Sequence, residues 1–277
     1  MEQDVRALQA VKMAVRSPSS NAPPTTRMAS AIFVPRVSDM YPSGITQDVE
    51  AQKGTFVYVK GYEHEMEGRS RPGFFRGVAT VVLKLFNAVE PTDAYFGQKD
   101  IQQALLLKRL CRDLLLSHPS PERLHIVPTT RDEKSRLALS SRNAYLSEVE
   151  RTKWAPVLIN ALTRGRRVWN GGHEGKQKQQ QAQEQRSVGV RALEAKESVE
   201  AVLQGAVNSA RSEGGVGMRM DYVSVNWADT FEVVGPDERV EDIDVERRGV
   251  ILSGALWVGK TRLIDNVIVA GESWVLG

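Results

Sequence analysis

Between residues 55 and 127 short apolar runs alternate with helical periods, and this alternation limits what the chain can fold into more than any other feature. TFVYVKG at 55–61 alternates as a strand does, whereas Val78, Val81, Val82, Leu85, Phe86 and Val89 recur at the spacing of one helix face. Glu90-Pro91 ends that helix. Ala94-Tyr95-Phe96 reads as a short buried strand, and Gly97-Gln98-Lys99-Asp100 turns the chain into a second helix over residues 100–116, carrying Leu106, Leu107, Leu110, Leu114 and Leu115. His125-Ile126-Val127 supplies the next strand. Strand, helix, strand, helix, strand is the rhythm of an α/β fold, a parallel sheet with covering helices whose ligands bind beyond the carboxyl ends of the strands.

The remaining sequence sets the limits. A chain of 277 residues, 41% hydrophobic and 26% charged, makes one large domain or two ordinary ones and builds a core without staples. The single cysteine, Cys111, excludes an intramolecular disulfide and any multi-cysteine metal site, and four scattered histidines argue against a histidine-rich centre. A net charge of +3 is too small to imply a nucleic-acid partner. No apolar run reaches the ~18 residues of a membrane span, and Met1-Glu2-Gln3-Asp4 predicts no secretory signal.

Residues 2–15 are predicted helical, 16–28 (RSPSSNAPPTTRM) form an insertion by composition, Ile32-Phe33-Val34 is a strand candidate, and YPSG at 41–44 is a turn. A domain boundary is expected near Pro128, giving 1–127 and 128–277. Past it, TTRDEKSRLALSSRN at 129–143 is a polar loop, and Ser147 with Glu150 has the spacing of a capping box that opens a helix. Six glutamines between 177 and 185 mark 170–186 as a low-complexity surface insertion. Residues 190–210 are helical by period, YVSV at 222–225 and VILSGALWV at 250–258 are strands, and GKTRLIDN at 259–266 reads as a basic-polar string.

Three polar clusters are candidates for one anion site. Arg69-Ser70-Arg71-Pro72-Gly73 offers two guanidinium forks, which suit carboxylate or phosphate. Gly97-Gln98-Lys99-Asp100 sits between a strand and a helix start, where backbone N–H groups favour an anion and Lys99 adds charge. Ser140-Ser141-Arg142-Asn143 sets two hydroxyls beside a guanidinium. Asp100 and Gln103 also have capping-box spacing, so a purely structural reading of Asp100 stands beside the functional one. No Walker A, Gly-x-Ser-x-Gly or His-Glu-x-x-His signature is present.

Four colinear strings, EGRSRPGFFRGVATVVLKLFN, YFGQKDIQQ, LALSSRNAYLS and WVGKTRLIDN, resemble the pantothenate synthetase (pantoate:beta-alanine ligase) family. The resemblance implies a Rossmann-like, adenylate-forming nucleotidyltransferase fold akin to class I aminoacyl-tRNA synthetases, with a smaller α+β C-terminal domain. It implies a cytoplasmic enzyme, possibly a homodimer, that joins pantoate to beta-alanine through pantoyl adenylate, using ATP and Mg2+. By the same resemblance Gly97, Lys99 and Asp100 match the loop that receives ATP, and Gln103 matches a glutamine that binds pantoate. Ser140, Ser141 and Arg142 match the loop equivalent to the synthetase KMSKS element, and Arg71 matches the edge of the site. No resident metal ligand is implied.

Three departures from the family pattern bear on these expectations. Phe74 stands where a histidine usually follows Arg-Pro-Gly, and Ser135-Arg136 stands where Asp-Gly usually makes a tight turn. The family's opening strand, Pro-Thr-Met-Gly string and His-x-Gly-His element, and its strand ending in Asn-Pro-x-Gln-Phe, have no counterpart, and neither His64 nor His118 has a second histidine three residues away. The expected fold is therefore N-terminally truncated and the expected turnover of this chain alone close to nil, with an inactive homologue of structural or partner-binding role as the alternative.

Overall fold

The computed structural model describes residues 2–15, 23–46, 48, 50–62, 64–172, 187–213, 215–238 and 244–277. Part of the insertion expected at 16–28 and most of the glutamine-rich segment, residues 173–186, lie outside the described residues. The chain separates into two compact units, Met1–Lys53 and Gly54–Gly277.

The first unit holds helix α1 (Glu2–Ala10), an antiparallel pair of strands β1 (Met13–Val15) and β2 (Thr25–Arg27), and the single turn α2 (Val37–Met40). The helix expected over 2–15 stops at Ala10, because Met13, Ala14 and Val15 pair with Arg27, Thr26 and Thr25 instead. Ile32, Phe33 and Val34 are about half exposed and form no strand. The Tyr41–Gly44 turn is present, closed by a 3.0 Å Gly44 N–H···O Tyr41 bond.

The second unit begins with residues 55–60, which alternate like a strand but pair with none. The Val57 N–H donates to Thr80 Oγ1 at 2.9 Å, and the buried Arg76 guanidinium lies 4.4 Å from the Phe56 ring and donates to Tyr58 Oη at 3.0 Å. This segment is laid along a helix, since its polar groups and aromatic faces are satisfied there rather than by a neighbouring strand. After the turn α3 (Glu67–Ser70) comes that helix, α4 (Phe74–Val89), whose apolar face buries Phe75, Ala79, Val82 and Phe86. Strand β3 (Ala94–Gly97), a 3-10 turn at Gln98–Asp100, helix α5 (Ile101–Asp113) and strand β4 (Leu124–Val127) follow, with β3 and β4 parallel in the register Ala94↔Leu124 to Gly97↔Val127. The predicted strand–helix–strand unit is therefore present, with α5 stopping at Asp113 instead of 116.

Beyond β4, Ser147 and Glu150 form the reciprocal capping box: Ser147 N–H donates to Glu150 Oε2 at 2.8 Å and Glu150 N–H to Ser147 Oγ at 3.3 Å. A π turn (Glu150–Trp154) leads into α6 (Val157–Trp169), which lies against α7 (Val188–Glu213). Three antiparallel strands, β5 (Met218–Trp227), β6 (Val250–Val258) and β7 (Thr261–Ala270), form one sheet in that order, with the turn α8 (Val245–Arg248) before β6 and helix α9 (Glu272–Leu276) at the end. GKTRLIDN is thus a hairpin turn and half a strand. Val258 pairs with Thr261, leaving Gly259-Lys260 as a two-residue turn with Gly259 at φ +56, the backbone that a glycine adopts without strain.

Both faces of this sheet are covered. Leu252, Leu256, Leu263, Val267 and Val269 enter one apolar cluster with Leu158, Leu162 and Trp169 of α6 and Ala195, Val199 and Leu203 of α7. Ile251 and Ile268 enter a second cluster with Phe75, Phe86, Leu106, Leu107, Leu110, Leu124 and Ile126. A sheet buried on both faces reads as a near-continuous hydrophobic run, which is why VILSGALWV was visible in the sequence to the residue.

Candidate functional site

Two cavities open where the carboxyl end of β3, the 129–143 loop and β7 meet. The first is lined by Lys99, Ser140, Arg142, Asn143, Arg262 and Asp265 together with apolar residues of the loop, α6 and β7. The second is lined by Glu67, Arg71, Phe74, Lys99, Asp100, Gln103, Tyr222, Asp265 and Asn266 among others. Lys99, Ile264 and Asp265 belong to both linings, so the two spaces adjoin at the lysine.

Six of the eight residues nominated from sequence therefore converge: Arg71, Lys99, Asp100, Gln103, Ser140 and Arg142. Gly97 and Ser141 line neither space, and both are exposed. A Cβ built on Gly97 meets nothing within 4 Å, so open space lies in front of that backbone. Asp100 is the N-cap of α5 but its carboxylate makes no capping bond, which corrects the structural alternative. It is instead 54% exposed and 3.7 Å from Lys99 Nζ. Ser140 caps the 3-10 turn Ser141–Tyr145, accepting from the Arg142 N–H at 3.3 Å.

The loop carrying Ser140 and Arg142 is folded by its own polar groups. Asp132 Oδ1 accepts from the Ser135 N–H and hydroxyl at 2.8 and 2.7 Å, and the Asp132 and Leu139 N–H groups donate to Leu137 and Thr130 carbonyls, both at 2.9 Å. Arg136 sits at φ +60, the left-handed region. The turn expected there is made, and it is made by a bulky residue carrying backbone strain.

The site gathers Arg71, Lys99, Arg142 and Arg262 beside Glu67, Asp100 and Asp265. Burial and then the charge of Arg142 lower the Arg71 pKa against the opposing pull of Glu67, with Arg262 adding to the repulsion and Asp100 countering it, so three guanidinium groups lie within electrostatic reach of one another. Like charges held this close fit an anionic ligand. Phe74, at the position of the family histidine, lines the same space and takes the Arg71 guanidinium on its ring face at 3.5 Å.

Sequence reasoning missed a second set of residues. Arg262 is gripped by Glu67 through two bonds, Nη1–Oε2 at 2.7 Å and Nη2–Oε1 at 3.0 Å, and by Asp221 through Nε–Oδ2 at 2.8 Å. Burial opposes its charge, but Glu67 and Asp221 outweigh burial and raise its pKa. Tyr222 donates its hydroxyl to Glu67 Oε1 at 2.9 Å, and burial, followed by the Glu67 charge, pushes that hydroxyl well above its ordinary pKa. The Arg142 guanidinium donates to the Arg262 carbonyl at 3.3 Å. No periodic signal marks them, because Leu263-Ile264 and Asp265-Asn266 break strand alternation and Glu67, Asp221 and Tyr222 come from α3 and β5.

Comparison with known proteins gives the family of the chain. The family model described as Pantoate-beta-alanine ligase matches residues 1–268. The pantothenate synthetases of Herpetosiphon aurantiacus and Moorella thermoacetica are 38% and 40% identical over 238 and 239 residues, 86% of this chain in each case and 69% and 68% of theirs. A crystal structure of the pantothenate synthetase from Thermus thermophilus superposes with a TM-score of 0.63 at 35% identity, covering 86% of this chain and 69% of that one.

Proposed function

The chain belongs to the pantoate-beta-alanine ligase family, which joins pantoate and beta-alanine to form pantothenate in an ATP-dependent reaction, and from that premise we propose how its residues divide the task. Ser140, Ser141 and Arg142 hold the triphosphate, Gly97, Lys99 and Asp100 receive the nucleotide, and Gln103 and Arg71 take the hydroxyls and carboxylate of pantoate. The observation that carries this reading is the meeting of two cavities at Lys99, one bordered by Ser140 and Arg142 and the other by Arg71 and Gln103.

In this reading a pantoate carboxylate oxygen attacks the α-phosphorus, the bond to pyrophosphate breaks, and pantoyl adenylate remains. The beta-alanine amine then attacks the acyl carbon and loses a proton, and AMP leaves with the electrons of the broken C–O bond. Both steps move negative charge that fixed cations and donors stabilise without a protein nucleophile. Lys99 stands between the spaces where that charge moves from carboxylate to phosphate. A magnesium ion bound to the triphosphate would need only one or two protein carboxylates, which Asp100, 3.7 Å from Lys99 Nζ, or Asp265 would supply, and the ion would neutralise phosphate charge there.

We assign residues 1–127 to nucleotide and pantoate binding and 128–277 to a lid, with a cytoplasmic homodimer as the working unit. No helix among the described residues is long and apolar enough to cross a membrane. Calorimetric titration tests the site. Gln103→Ala is expected to weaken pantoate binding by roughly 5- to 150-fold, the equivalent of about 1–3 kcal/mol for unmade bonds, while leaving binding of a non-hydrolysable ATP analogue unchanged. Lys99→Ala is expected to weaken the ATP analogue. Unchanged affinities in both variants refute the assignment.

A further inference from the structure

Asp265 and Asn266 are consecutive residues of β7, and consecutive side chains of a strand point to opposite faces of its sheet. Leu263, Val267 and Val269 enter the cluster under α6 and α7, whereas Ile268 enters the cluster of α4, α5, β3 and β4. Asp265 accordingly faces the side of the 129–143 loop and Asn266 the side of the 97–100 loop.

Each is almost wholly buried, at 5% and 2% exposure, and each spends its polar atoms on one loop. Asp265 Oδ2 and Oδ1 accept from Arg131 Nη1 and Nη2 at 2.7 and 2.9 Å, a bidentate pair. Arg131 in turn donates to the Arg136 carbonyl at 3.3 Å and bridges to Ala138, two residues before Ser140. On the opposite face, Asn266 Nδ2 donates to the Gln98 and Lys99 carbonyls at 2.9 and 3.0 Å, and Asn266 Oδ1 accepts from Gln98 Nε2 at 3.4 Å. The two residues are themselves tied, since the Asn266 N–H donates to Asp265 Oδ1 at 2.9 Å.

We propose that Asp265 and Asn266 are positioning residues, a brace through the thickness of the sheet that fixes the loop of Lys99 against the loop of Ser140 and Arg142. The inference rests on the reading that these loops form one site. Stability alone does not call for this chemistry, because well-packed apolar residues in place of a buried ion pair are often as stabilising or more so. Fixing two loops from opposite faces of one strand calls for directional bonds at adjacent positions.

Hydrogen–deuterium exchange on the whole chain, with and without ATP, tests it. Asn266→Ala is expected to speed exchange of residues 97–100 by about tenfold or more, the consequence of losing three neutral hydrogen bonds, and Asp265→Asn to speed exchange of 130–139, each leaving β5 and β6 unchanged. In the unsubstituted protein ATP is expected to slow exchange in both loops, and in each variant only in the loop still braced. Unchanged loops, or a uniform rise across β5, β6 and β7, overturn the brace. If Asn266→Ala does not fold, Asn266→Asp, which keeps the size but replaces the donor nitrogen, repeats the test, and failure of both to fold assigns the residue to stability and also overturns it. Absence of ATP protection in the unsubstituted protein overturns the site reading alone, because exchange without ATP still judges the brace.

Discussion

Replacing Arg262 by methionine is expected to destabilise the protein by about 3–5 kcal/mol, the usual cost of removing one partner from a buried ion pair. The geometry sets that size. Arg262 and Glu67 side chains are 15% and 14% exposed, their contact is bidentate at 2.7 and 3.0 Å, and Asp221 adds a third bond at 2.8 Å. Methionine keeps most of the side-chain volume but leaves the Glu67 carboxylate with the Tyr222 hydroxyl, and the Asp221 carboxylate with Arg219 at 3.8 Å. Lysine at 262 keeps the charge and loses the fork, so an intermediate loss is expected. Urea denaturation followed by tryptophan fluorescence measures the difference, and a thermal midpoint lower by roughly 6–20 °C is the counterpart for a unit of this size. Combining Arg262→Met with Glu67→Gln is expected to cost at least about 1 kcal/mol less than the sum of the single changes. A stability within about 0.5 kcal/mol of the unsubstituted protein, with additive single changes, refutes the reasoning.

Two further outcomes follow from local geometry. Arg136→Gly is expected to stabilise the 129–143 loop by about 0.5–1 kcal/mol, because φ +60 strains any L residue, and a lower urea midpoint would show instead that the Arg136 side chain contributes more than its backbone costs. Burial pushes the Cys111 thiol up to about 11, so below that pH it stays protonated; a disulfide reagent at pH 8 is expected to leave the native protein unlabelled and to modify the one thiol on unfolding in guanidinium, and rapid labelling of native protein contradicts this.

What was legible in the sequence was whatever shows itself as a pattern of burial. Helices α4, α5 and α7 and strand β6 are apolar on the faces they bury, and periodicity finds them. TFVYVKG has the same alternation as a strand and is not one, because a strand also needs a neighbour; Thr80, Arg76 and α4 answer its groups instead. The reverse error fell on β7, where Asp265 and Asn266 are polar and buried and Arg262 is partly buried. Hydropathy reads such residues as surface, since it cannot see that their partners come from the 129–143 and 97–100 loops and from Glu67. The nominated loops were legible because their glycines, serines and arginines are chemically explicit; the residues holding those loops together are dispersed across up to 195 positions of sequence and declare themselves only by contact.

The two-residue turn at Gly259-Lys260 has a consequence beyond closing a hairpin. It sets the count of residues between β6 and β7, and side chains on a strand alternate with a period of two. One residue added here, with the two-residue turn and its closing pair kept, would slide β7 by a single step and exchange its faces. Asp265 would then take the place of Asn266 and confront the Gln98 and Lys99 carbonyls with a carboxylate instead of a donor amide, and Ile264 would take the place of Asp265 and meet the Arg131 guanidinium with no acceptor. The length of an exposed turn, at a distance from both cavities' nominated residues in sequence, thus acts as a parity bit for the site: even register keeps donor to acceptor on both loops, and odd register mismatches both at once.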